Sequence, residues 1–264
     1  MILPLCGMVC AIFLLVYLLN KEYRAKSSAS DVALLKNGAV SVNEQLIKAA
    51  AAGDYLLLRY LLNKNADCDF CDKTSRSALH IAAEKGHIEC LKVLLKAGAN
   101  TDLADKLNIQ PLMLAAGNGH AGAVELLLQY KADIAGCSQE GKTALHYAVL
   151  GGYYGVVLLL LQYQAPVWIG SSEGGGVLVS ALHKRYYLIA EALLNAGADV
   201  NECDREGNSA LMLAAAGGCE RIVKMLLKNS TLNVKHRNKN NENALDLAQK
   251  NARTEIVKIL KNCQ

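Results

Sequence analysis

Residues 77–99 read SALHIAAEKGHIECLKVLLKAGA, and residues 143–165 read TALHYAVLGGYYGVVLLLLQYQA. The two stretches align without a gap. Each is a short apolar segment behind a Ser or Thr suited to cap a helix, then a glycine corner, then a second apolar segment closing on Leu-Leu. Outward from them the frame repeats: Leu46, Leu79, Leu112, Leu145, Leu178, Leu211 and Leu245 recur about every 33 residues. Gly53, Gly86, Gly119, Gly152 and Gly218 keep the same register, with Arg185 in the fifth place. A fixed period of this length means stacked helix-turn-helix units rather than one closed core.

Composition agrees. Of 264 residues 52% are hydrophobic and 20% charged, so the chain buries a core and is not disordered. Aromatics are 5%, with one Trp and two Phe, which is thin for a sandwich or barrel. The net charge of +4 is uneven. Residues 224–264 carry nine basic groups against three acidic ones, while the middle of the chain is net acidic. No basic stripe interleaved with aromatics points to nucleic acid.

At the residues quoted above the chain resembles the ankyrin-repeat family, over residues 43–264. Six full repeats and a truncated C-terminal one begin near Asn43, Ser77, Gln110, Thr143, Gly176, Ser209 and Asn243. The resemblance implies an all-α solenoid of stacked helix pairs, joined by polar fingers, that binds other proteins. It also implies that the histidine after the first-helix Leu bonds the next repeat. Only His80 and His146 retain it; Met113, Val179 and Met212 stand elsewhere. The fifth repeat departs most. Its entry, residues 165–176, lacks the usual Gly-Ala-Asp-Val-Asn, and Arg185 replaces its corner glycine. This repeat is either a weak point in the stack or a contact site.

Motifs that suggest chemistry have plainer readings. Cys68-Asp69-Phe70-Cys71 is a lone CxxC without the second pair that a structural zinc site needs. Cys71, Cys137 and Cys203 lie two periods apart, so they share one slot for a small residue. Nine cysteines, an odd number spread along the repeats, suit reduced thiols better than a disulfide framework. Residues 117–122 match GxGxxG, but a helix precedes them where a dinucleotide fold needs a strand. Gly174-Gly175-Gly176 lacks the Lys of a phosphate loop. The histidines occupy repeat positions or loops, and no nucleophile-base pair forms. The expectation is no catalytic residue, no cofactor and no metal. Asn201 falls in a pattern hydroxylated in some ankyrin repeats, but is first the turn asparagine of its unit.

In the family the fingers and first helices line the concave binding face, and positions there that the fold does not dictate are the candidate protein-binding residues. These are Lys73, Arg76, Lys85, Lys106, Leu107, Ile109, Gln139, Lys142, Trp168, Glu173, His183, Lys184 and Arg205. Cations outnumber anions among them, which favours an acidic partner surface. Trp168 stands where other fingers carry Asp69 or Asn201. It is either an exposed anchor or a cover folded over the fourth–fifth junction.

Residues 1–19 contain no Asp, Glu, Lys, Arg or His, and Lys21, Arg24 and Lys26 follow them. A helix of that length approaches the thickness of a bilayer core. Residues 1–20 are thus expected to form a single transmembrane helix, with a cleaved signal or a packed helix as alternatives. The positive-inside rule places the repeats in the cytoplasm. Residues 21–42 form a basic juxtamembrane linker, in which residues 31–39 resemble a half-repeat cap. The expected protein is a membrane-anchored, non-catalytic adaptor with a monomeric repeat domain. The alternative is a soluble regulatory subunit or inhibitor that occludes its target, such as a microbial protein directed at a host.

Overall fold

The computed structural model describes residues 41–169 and 175–262. The expected transmembrane helix, the half-repeat cap at 31–39 and Glu173 lie outside the described residues. Among those described, no helix is long and apolar enough to cross a membrane.

Fourteen helices form seven pairs among the described residues. The pairs are α1 Val42–Ala52 with α2 Tyr55–Leu62, α3 Ala78–Lys85 with α4 Ile88–Lys96, and α5 Pro111–Gly117 with α6 Ala121–Gln129. They continue as α7 Ala144–Gly151 with α8 Tyr154–Gln162, and α9 Val177–His183 with α10 Tyr187–Asn195. The last are α11 Ala210–Gly217 with α12 Glu220–Leu227, and α13 Ala244–Lys250 with α14 Thr254–Lys261. First helices pack on first helices and second on second, each unit touching its neighbours.

Helices of 7 to 11 residues are too short to persist alone, so their stability comes from stacking. The repeated leucine row supplies it. Leu46, Leu79, Leu112, Leu145, Leu178 and Leu211 are fully enclosed between successive first helices. Ala82-Ala83, Ala115-Ala116 and Ala214-Ala215 are equally buried, and their small side chains let those helices approach closely. A second row, Leu61, Leu94, Leu127, Leu160, Leu193 and Leu226, closes the layer of second helices. Leu245 is only half-buried, because no described unit beyond the seventh covers it.

The corners show why glycine recurs. Gly86 turns the chain at φ 69°, and the His120 ring of the next unit lies where its Cβ would be, 2.7 Å away. In the fifth unit Arg185 takes the same left-handed turn at φ 58°. The residue opposite it in the sixth unit is Cys219, where other corners have His120, Tyr153 or Tyr186. A small partner thus accompanies the large corner residue.

Between the pairs, fingers project from the stack. They enter the second, third and fourth units at residues 66–76, 99–109 and 132–142, and the sixth and seventh at 198–208 and 231–242. The fifth finger, 165–175, is described to residue 169 and again at its end. Isolated bridges close the bases of two fingers, Cys71 to Ser77 and Cys203 to Ser209.

Candidate functional site

The fingers are tied to one another by a ladder that the sequence writes as Asx-x-Asx. Asn43 Oδ1 accepts from the Asp67 N–H (2.9 Å), Asp69 Oδ1 from Asn100 (2.9 Å), and Asp102 Oδ1 from Asp133 (2.8 Å). Asn201 Oδ1 accepts from Asn233 (2.8 Å), while its Nδ2 donates to the Thr231 carbonyl (2.9 Å). The fifth finger has neither rung. Toward the fourth, Ala135 offers no acceptor and Pro166 no N–H. Toward the sixth, Trp168 replaces the acceptor that would meet Asp199. That side chain is 74% exposed, so it does not fold over the junction.

The cysteine slot has a local role. Cys71 donates its thiol to the Asp69 carbonyl (3.3 Å), Cys137 to Ala135 (3.3 Å) and Cys203 to Asn201 (3.4 Å), always two residues back. Burial, and then the Asp69 carboxylate, push the Cys68 and Cys71 thiols up, away from the thiolate a metal or exchange site needs. Among the described residues no group of three or more His, Cys, Asp or Glu converges on a metal position.

The two retained histidines differ. His80 Nδ1 accepts from the Ser77 N–H (3.2 Å), which leaves Nε2–H to donate to the Ile109 carbonyl of the next finger (3.1 Å). His146 makes the same local bond to Thr143 (3.2 Å), yet its Nε2 is buried without a partner. The expectation that both bond the next repeat is therefore corrected: no described residue of the altered fifth finger accepts from His146. Burial, and then Lys142, lower the His146 pKa to about 4.

The candidate binding residues fall into two groups. Some are committed to the scaffold. Arg76 bridges Glu84 and Asp105, both at 3.2 Å, and Lys85 donates to the Ala51 carbonyl (2.9 Å). Lys142, largely buried, pairs with Glu140 (2.8 Å), and His183 binds Asp204 (2.9 Å). Burial opposes ionisation of Asp204, but bonds from Asn208 and His183 outweigh it and lower its pKa. Ile109 is half-buried and serves His80.

The rest face solvent. Lys73, Lys106 and Gln139 are the exposed tips of three successive fingers, and Arg205 is the tip of the sixth unit's finger in the same register. Lys239 continues the row, one residue out of frame, and was legible from the same spacing. Lys73, Lys106, Lys184 and Arg205 make no ion pair among the described residues. Leu107, 57% exposed, and Trp168 are apolar side chains on this edge. Gln139 holds its finger to the third through the Lys106 carbonyl (2.8 Å).

This is a solenoid scaffold: a fixed row of fingers carrying variable tips. The chain belongs to the ankyrin-repeat family, whose three-copy model matches residues 17–105, 46–135, 90–169 and 178–264. Ankyrin-repeat domains are generally protein–protein interaction modules and typically non-catalytic. The ankyrin repeat domain of human ASB11 is similar at 26% identity and a TM-score of 0.68, over 81% of this chain and 96% of that one. The ankyrin repeat domain of Bcl-3, a member of the IkappaB family, is similar at 24% identity and a TM-score of 0.71. That match covers 82% of this chain and 97% of the other, and speaks for the fold alone. Comparison with curated proteins gave no match.

Proposed function

We propose that the chain is a non-catalytic adaptor whose protein partner docks on the finger edge around Leu107 and Trp168. One observation carries this reading: Trp168 is exposed on the finger that forgoes its ladder rungs. Replacing a bonding Asx with an exposed Trp costs stability and adds a residue type that dominates measured binding hot spots. Lys73, Lys106 and Arg205 on the same row of fingers, together with Lys184, make no ion pair among the described residues and favour an acidic partner surface, raising the association rate as well as the selectivity. Residues 1–19 anchor the protein in a membrane with the repeats on the cytoplasmic side. Anchoring raises local concentration, so modest intrinsic affinity suffices.

The test is site-specific photo-cross-linking of the full chain in cells, with the cross-linker at Gln139 and partners read by mass spectrometry. A defined partner that disappears in W168A and weakens in K106E/R205E supports the reading. A partner retained in both variants overturns it. Alkaline carbonate extraction tests the anchor separately: release of the full-length chain into the soluble fraction refutes it and favours the soluble inhibitor.

A further inference from the structure

Several first helices in this stack begin at a residue whose side chain accepts from the N–H three positions on. Thr143 Oγ1 accepts from His146 (3.5 Å), Ser209 Oγ from Met212 (3.4 Å) and Asn243 Oδ1 from Asp246 (3.0 Å). Helix α9 begins behind Gly176, which has no side chain to offer. The space is not empty: a Cβ built on Gly176 would collide with the carboxyl group of Glu202. The carboxyl thus lies against the start of α9, and burial raises its pKa while the Val179, Gly176 and Leu178 N–H groups act to lower it. Val179 is the third helical residue, the one a cap serves in α7, α11 and α13.

We propose that Glu202, carried by the finger of the sixth unit, is the N-cap of α9, so that the first helix of the fifth unit is complete only while the next finger is docked on it.

The sizes at the same two positions, the cap and its counterpart on the following finger, are reversed in the third unit. There the cap is the long Gln110, and the residue opposite is Gly136, whose missing Cβ would collide with the Gln110 amide. Where the cap is a short hydroxyl, at Ser77, Thr143 and Ser209, the opposite residues are Leu103, Ile169 and Lys235, none of which can accept from a helix N-terminus. An acidic side chain therefore appears opposite the one cap that lacks a side chain altogether. Its carboxyl is held in place there: Oε2 is enclosed without a hydrogen-bond partner, and Oε1 lies against Gly176. Arg185 and Cys219 show a second mutual adjustment between the same two units.

Three variants of the full chain test this, read by urea unfolding and by hydrogen exchange at Leu178 and Val179. E202A removes the cap and should speed exchange at those two amides about tenfold, leaving α3 unchanged. G176S should also destabilise, because its Cβ evicts the carboxyl. G176S/E202A should regain stability relative to both single variants, since the introduced serine caps α9 as Ser209 caps α11. A double variant that is the least stable of the three overturns the shared cap. So does unchanged exchange at Leu178 and Val179 in E202A, which is readable even where G176S fails to fold.

Discussion

The third and fifth fingers, residues 99–109 and 165–175, have equal length and different chemistry. The third is bonded on both sides through Asp69, Asn100, Asp102 and Asp133. It also receives His80 from the second unit. The fifth has Pro166 and Trp168 at the rung positions, and no described residue there accepts from His146. The repeat frame is set by buried leucines and corner geometry, so it survives loss of the finger bonds. What changes is coupling between units, which in a stacked protein determines whether the array unfolds as one body.

Core truncation should expose that contrast most strongly. Leu79→Ala and Leu178→Ala each remove a fully buried side chain and should cost about 3 kcal/mol. The second should also split the urea transition in two, because the weakly tied fifth unit then insulates its neighbours. A single transition in Leu178→Ala would show that the helix layers alone carry the cooperativity.

Opposed titrations come next. Burial, and then Asp199, raise the Glu202 pKa to about 7, above its ordinary value of 4.5. The folded state then holds a proton that the unfolded state releases, so stability from this group falls as pH rises from about 4.5 to 7. His146, lowered to about 4 from 6.5, acts with the other sign: stability falls as pH drops through that interval. E202Q should therefore be more stable than the parent at pH 8, by on the order of 2 kcal/mol, and show a steeper loss on acidification. Urea midpoints across this range check it; parallel profiles would remove Glu202 from the account.

The histidine pair gives a smaller contrast. His80→Ala should cost about 1 kcal/mol more than His146→Ala, because only His80 bonds the next finger. Equal losses in thermal unfolding would mean that this bond adds nothing net. Smallest is W168N, which restores the acceptor facing the Asp199 N–H. It should gain about 0.5–1 kcal/mol while cross-linking to the partner drops. A gain without loss of cross-linking would separate the tryptophan from binding.

Much of this was legible in the sequence. The leucine row, corner glycines and caps are local patterns repeated along the chain, so each unit corroborates the others. The cysteine slot at residues 71, 137 and 203 was readable for the same reason, though not its thiol–carbonyl bond. Among the candidate residues, type and position alone did not separate the free Lys106 from the committed Lys142, since one nearby carboxylate decides that. Glu202 escaped because its role depends on a glycine in the preceding unit, on the far side of a whole helix pair. The available signal was a pair of oddities: a glycine where Ser77, Thr143 and Ser209 stand, and a charge where Leu103 and Ile169 stand.

The missing rungs also have a mechanical meaning. A solenoid is a curved beam whose finger edge and outer helices bear strain in opposite senses when it bends. With the two Asx rungs absent beside the fifth finger, that edge is more compliant there than at the laddered fingers. Bending concentrates there, and the distance between the Lys106 and Arg205 tips adjusts at the least elastic cost.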